Sequence, residues 1–89
     1  ALMYAAKNDN IEVADELLRN GSSVNECNNE GETALIYCCK YGSENVLKYL
    51  LEVGANLFCK DNYGSNALIY ASNYGHVNIV HTLLNNGLD

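Results

Sequence analysis

Apolar residues recur along this chain in two alternating patterns. The first is short: Leu2, Ala5 and Ala6 fall at i, i+3 and i+4, one face of a helix. The second is longer, with apolar pairs one turn apart: Val13-Ala14 with Leu17-Leu18, Val46-Leu47 with Leu50-Leu51, and Ile79-Val80 with Leu83-Leu84. Each such stripe predicts an amphipathic helix with one buried face. Together the two patterns predict first helices over Ala1–Ala6, Ala34–Tyr41 and Ala67–Tyr74, and second helices over about Ile11–Arg19, Glu44–Glu52 and His76–Asn85. Polar or glycine breaks separate each pair, at Asn8-Asp9-Asn10, Gly42 and Gly75. Gly21, Gly54 and Gly87 supply the left-handed residue that ends each second helix. The polar run Ser22–Glu30 leads to a turn at Gly31, and Asp61-Asn62-Tyr63-Gly64 reads as a second hairpin tip. Thr33 and Asn66 are expected to cap the helices they precede. Ser43 is expected to do the same for the helix from Glu44, which has acid in its first turn.

These elements repeat at a fixed interval. Leu35 has counterparts at Leu2 and Leu68, Tyr37 at Tyr4 and Tyr70, Val46 at Val13 and Ile79, and Gly54 at Gly21 and Gly87, each offset by 33 residues without slip. Gly31 matches Gly64 in the same way. A period of this length marks a stacked array, in which each unit buries its apolar face against the next.

The residues that carry the period resemble the ankyrin repeat over essentially the whole chain. Asp61, Gly64, Leu68 and Ala71 match that family's pattern, as do Gly31, Thr33, Leu35, Gly42, Leu50, Leu51, Gly54 and Ala55. Gly75-His76-Val77-Asn78-Ile79-Val80 is similar to its Gly-His-x-x-Ile-Val step. The resemblance implies an all-α solenoid of stacked helix-turn-helix units with short β-hairpin tips. It forms one domain over 1–89, with a partial repeat at 1–27, a full one at 28–60 and a partial one at 61–89. There are departures. Ala1, Ala34 and Ala67 replace the family's proline, and Met3, Ile36 and Ile69 replace its histidine. Asn28 replaces the aspartate that opens a repeat, and Asp9 replaces a glycine.

Composition narrows the function. Nearly half the residues are apolar, which excludes a disordered tail. Apolar runs are too short to span a bilayer, so no membrane insertion is expected. The net charge of −6, with five basic residues dispersed along the chain, argues against nucleic acid and mildly favours a basic partner. The four cysteines lack zinc-ligand spacing, so no metal or other cofactor is expected. Cys38 and Cys39 stand where other units carry Ala5-Ala6 and Ala71-Ser72, and so read as small packed residues. Unpaired thiols point to an intracellular, cytoplasmic setting.

No nucleophile stands in a recognisable motif with His76 or His81, and the acidic pairs Asp15-Glu16 and Glu30/Glu32 read as solvated faces rather than cation or acid–base sites. No enzyme is expected. The resemblance implies instead a protein partner docked on the hairpin tips and the concave face of the first helices. On this chain that surface comprises Asn29, Glu30, Glu32, Lys40, Tyr41, Lys60, Asn62, Tyr63, Ser65, Asn73 and Tyr74, with Lys7 and Asn8 beside them. Tyr41 and Tyr74, one period apart, are expected to form a short aromatic ladder suited to anchoring a partner. A second reading makes the chain a structural spacer in a longer, multidomain protein. Because Val13, Leu17, Ile79 and Leu84 keep the internal apolar pattern, the end units are expected to meet flanking repeats, another chain or a second copy.

Overall fold

The computed structural model describes residues 2–88; Ala1, where the first helix was expected to begin, and Asp89 lie outside the described residues. Six helices follow in order: α1 (Leu2–Lys7), α2 (Ile11–Arg19), α3 (Ala34–Tyr41), α4 (Glu44–Glu52), α5 (Ala67–Asn73) and α6 (Val77–Asn85). They pair as α1–α2, α3–α4 and α5–α6, giving three stacked helical units. Among the described residues, β structure is confined to two isolated antiparallel bridges, Cys27 with Thr33 and Lys60 with Asn66, at the base of each hairpin.

The first helices pack in one row, α1 on α3 on α5, and the second helices in another. Ala5, Ala6, Cys38, Cys39 and Ala71 face the interior of the first row and are fully buried. Such short side chains let those helices approach closely. In the second row, Val46, Leu47, Leu50, Ile79 and Leu83 fill the seams. Successive first helices contact one another more extensively than successive second helices do. Burying each of these leucines contributes roughly 2 kcal/mol. The core is therefore a continuous strip through the units rather than a single globule.

Thr33 and Asn66 cap α3 and α5, accepting from the Ile36 and Ile69 amides at 3.3 and 2.9 Å. Two expectations are corrected. α5 ends at Asn73, one residue before Tyr74, and α6 begins at Val77, leaving His76 in the cap position. Ser43 does not cap α4. Its hydroxyl instead donates to the Ala6 carbonyl at the end of α1. One orphan donor of α4 is met from the neighbouring unit: Asp9 accepts from the Val46 amide at 2.9 Å, and its other oxygen accepts from the Asn45 side chain at 3.1 Å. Asp9 holds a left-handed φ of +53°, at the place where the other units have Gly42 and Gly75. Aspartate is among the few residues besides glycine that tolerate that region.

The His76 side chain repeats the Ser43 reach one unit later. Its Nε2 lies 3.2 Å from the Lys40 carbonyl. A carbonyl only accepts, so Nε2 carries the proton. This imidazole also fixes Gly42, whose φ is +77°, because a Cβ there would sit 2.9 Å from the ring.

Candidate functional site

The two hairpins close with the same geometry but opposite chemistry. Asn28 Oδ1 accepts from the Glu30 and Glu32 amides at 3.0 and 2.9 Å. Asp61 Oδ1 accepts from the Tyr63 and Ser65 amides at 2.9 and 2.8 Å. The second atom of each side chain then chooses a different partner. Asn28 Nδ2 donates to the Glu32 carboxylate at 3.0 Å and, more distantly at 3.5 Å, to the Tyr37 hydroxyl, whereas Asp61 Oδ2 accepts from the hydroxyl of Tyr70, one period after Tyr37. Asparagine thus stands where a glutamate follows four residues on, and aspartate where Ser65 follows. An aspartate at position 28 would set two carboxylates against each other.

The tips are tied together. The Asn62 amide donates to the Glu30 carbonyl at 2.8 Å, and Asn62 Nδ2 donates to the Asn29 carbonyl at 2.8 Å. Gly31 sits under this contact, where a Cβ would come within 2.9 Å of the Asn62 nitrogen. Beneath the tips, Glu32 accepts from Asn28, from Lys40 Nζ at 3.5 Å and from the Tyr70 hydroxyl at 3.2 Å. Burial disfavours the Lys40 ammonium, but the Glu32 carboxylate outweighs it and holds the Lys40 pKa above its ordinary value. The Tyr70 hydroxyl keeps the Asp61 carboxyl below the usual aspartate range against partial desolvation, with the Ser65 and Tyr63 amides adding to the effect. Asp61 and burial in turn push the Tyr70 phenol up.

The outer side of the first-helix row is aromatic and basic. The Tyr37 and Tyr41 rings lie 5.6 Å apart, and those of Tyr70 and Tyr74 6.3 Å apart in a stack that continues to His76 at 6.4 Å. The aromatic pairs therefore form within a unit, four residues apart, and not between Tyr41 and Tyr74 as expected. Residues one helical turn apart stand about 5–6 Å from each other, whereas neighbouring helix axes are about 8–10 Å apart. Lys7 Nζ lies 5.6 Å from the centre of the Tyr41 ring, and Lys40 Nζ 5.9 Å from the same ring.

Of the residues singled out from the sequence, Tyr63, Ser65, Asn73 and Tyr74 share one hollow of about 290 Å³ at the third unit. Asp61, Ile69 and Tyr70 complete its lining and were not foreseen as site residues. The period hides Ile69: its counterpart Ile36 is fully buried, whereas Ile69 remains 43% exposed. Tyr63 is the most exposed aromatic residue at 81%, and Tyr41 and Tyr74 are also open to solvent. Asn29, Glu30 and Asn62 lie exposed at the joined tips, Lys60 is exposed at the base of the second hairpin, and Lys40 is half-buried behind Tyr41. Glu32 differs from expectation. At 4% exposure, with three internal partners, it belongs to the packing between units rather than to an open tip.

The second-helix row is more acidic. There Tyr49 donates to Asp15 at 2.6 Å across the unit boundary, and Arg19 pairs with the same carboxylate at 2.9 Å. The Tyr49 hydrogen bond is the main cause of a lowered Asp15 pKa, opposed by slight desolvation and helped by Arg19. Among the described residues, no three His, Cys, Asp or Glu side chains gather as a metal site would require. No helix there is long and apolar enough to cross a membrane. The four cysteines are free; Cys27 is exposed, while Cys38 and Cys39 are buried. Burial pushes both of these thiols up, Cys39 to about 12.

Comparison with known proteins finds one family. The pattern of ankyrin repeats, in three copies, matches residues 2–89. No curated protein gives a significant match.

Proposed function

The chain belongs to the ankyrin-repeat family, and from that premise we propose that it is a non-catalytic protein-interaction module that engages its partner through the joined hairpin tips and the concave first-helix face. The observation that carries this reading is the exposure of Tyr41, Tyr63 and Tyr74 on elements that are themselves held rigid. Tyr63 is mounted on a hairpin whose backbone is pinned by Asp61. Tyr74 is stacked between Tyr70 and His76. Aromatic side chains fixed before binding lose little entropy when a partner arrives, which suits them as anchors. The hollow at the third unit adds a concave pocket beside two of them.

The alternative reading, a spacer, is favoured by the bonds from Asn62 to Asn29 and Glu30, which occupy tip groups and stiffen the stack. The two readings separate in one experiment. Partners are captured on the immobilised chain and quantified for the wild type, for a Tyr41→Ala/Tyr74→Ala variant and for a Lys48→Ala control on α4. Both tyrosines are exposed, so the fold should persist, as circular dichroism would verify. An interaction module loses its saturable partner in the tyrosine variant alone, by about 2 kcal/mol per anchor or roughly 30-fold. A spacer loses nothing, and that outcome would sink the proposal.

A further inference from the structure

The chain carries a net charge of −6, yet its charges are not evenly placed. α1, α3 and α5 contain Lys7 and Lys40 and no aspartate or glutamate. α2 and α4 contain Glu12, Asp15, Glu16, Glu44 and Glu52 against Arg19 and Lys48, so five acidic residues face two basic ones for a net of −3. Three carboxylates approach the first-helix side: Glu32 and Asp61 are 4% and 8% exposed and engaged in internal hydrogen bonds, and Asp9, half-buried just past α1, is taken up by the Val46 amide and the Asn45 side chain. Glu26 and Glu30 stay exposed on the connection between the first two units, off the helices. The first-helix face thus carries no acid on its helices and two lysines, Lys7 exposed and unpaired among the described residues and Lys40 half-buried beside Glu32, on a molecule that is acidic elsewhere.

We propose that this face takes an acidic polypeptide segment, so that the partner is opposite in charge to what the whole chain would suggest. The inference rests on the reading of the first-helix face as the binding surface and adds the chemistry of what binds there. Its centre is Tyr41, 44% exposed and flanked by ammonium groups from two successive units, at 5.6 Å for Lys7 and 5.9 Å for Lys40. An aromatic face attracts cations, so the ring holds the two like charges near each other. Lys7 is exposed and has no carboxylate within 4.0 Å among the described residues. Its ammonium is left with donors to give, and carboxylates are the acceptors that bind such donors most strongly. Successive helices stand about 8–10 Å apart, and an extended strand advances about 3.3 Å per residue. Carboxylates two or three residues apart on an extended segment therefore reach both units at once. A nucleic acid fits less well. Its phosphates would meet only this short strip of cations, and the flanking acidic surface would repel the rest of a densely charged backbone.

The test is a titration of the isotopically labelled full chain, followed by amide NMR shifts, with an alternating Glu-Gly peptide and a Lys-Gly peptide of the same length. The Glu-Gly peptide should shift the amides around Lys7, Lys40 and Tyr41. Lys7→Glu should weaken it roughly tenfold. Lys48→Glu, on the other row, should leave it nearly unchanged, and added salt should weaken it further. Shifts of the same amides by the Lys-Gly peptide alone would overturn the acidic partner while leaving the first-helix face as the binding surface. Shifts confined to α2, α4 and α6 would overturn both. Absence of shifts with the Glu-Gly peptide at millimolar concentration, or tighter binding of oligothymidylate at the same amides, would overturn the proposal.

Discussion

Replacing Asp9 tests whether one unit supplies a helix cap to the next. Its carboxylate accepts from the Val46 amide, the third residue of α4, and Ser43 provides no cap of its own. Losing a side-chain cap costs about 1 kcal/mol, and losing a negative charge at a helix start costs about 0.5 kcal/mol more. Asp9 also sits at φ +53°, a region that alanine resists by about 1 kcal/mol and glycine accepts freely. The three effects separate in a series. Asp9→Ala loses cap and charge and adds the strain, for a total of about 2.5 kcal/mol. Asp9→Gly loses cap and charge but meets no strain, for about 1.5 kcal/mol. Asp9→Asn keeps both an acceptor and tolerance of the left-handed region, for about 0.5 kcal/mol. Urea denaturation followed by far-ultraviolet circular dichroism would rank them. In a chain of this size the alanine variant should melt about 10–20 °C below wild type. Hydrogen exchange at the Val46 amide should quicken in the alanine and glycine variants, although neither change touches α4 itself. If alanine proves no worse than glycine, the strain argument fails. If all three match wild type and Val46 exchange is unaltered, the cap contributes nothing.

Four further outcomes follow from the packing. Gly42→Ala should be more destabilising than Gly64→Ala in urea titrations, by about 1 kcal/mol, because both glycines have positive φ but only Gly42 meets a ring; removing the imidazole with His76→Ala should narrow the difference. Thiol reagents should label Cys27 quickly and Cys38 and Cys39 only at the rate of opening, since the latter two are buried. These raised thiol pKa values imply stability that is complete below the ordinary thiol value of 9.0 and lost as pH rises towards about 12, because the unfolded chain releases protons that the folded one retains; a midpoint in urea that did not fall over this range would contradict it. Tyr70→Phe removes the hydroxyl that depresses the Asp61 pKa. A depressed carboxyl stabilises the fold above the ordinary value of 3.8 and loses that effect as pH falls, so the variant should be less stable at neutral pH yet show a smaller loss on acidification; an acid titration of circular dichroism identical to wild type would refute the role of this bond.

Helices and their caps were legible in the sequence wherever the cause is local. Thr33 and Asn66 act on amides three residues ahead, and the stripe from Val46 to Leu50 buries itself on the neighbour that its period requires. Side chains that serve another unit were not legible. Ser43 has the identity and position of a cap, but the end of α1 lies close enough to claim its hydroxyl. The value of Asp9 had one visible sign, an aspartate in the register of two glycines, but its target is 37 residues away. The site divides in the same way. Tyr41, Tyr63 and Tyr74 were foreseen as surface residues because the period leaves them free. Glu32 looked equally free, yet Tyr70 and Lys40 close over it from positions that no local pattern connects to it. The expected ladder of Tyr41 and Tyr74 failed because a ring finds its nearest partner one turn along its own helix.

The exchange of polar groups between units also bears on how the chain folds. A lone helix pair must form its first turns at a cost that its short length scarcely recovers. Here α4 finds an acceptor for an orphan amide only when the loop at Asp9 is in place, the Lys40 carbonyl finds its donor only when His76 arrives from the following unit, and the Ala6 carbonyl, already bonded to the Asp9 amide, gains a second donor when Ser43 arrives. Intrinsic unit stability is thereby shifted into the coupling between neighbours. In a linear array that balance penalises every boundary between folded and unfolded units. The three units should consequently melt as one cooperative block rather than fray from either end, and a partner spanning two of them would encounter both or neither.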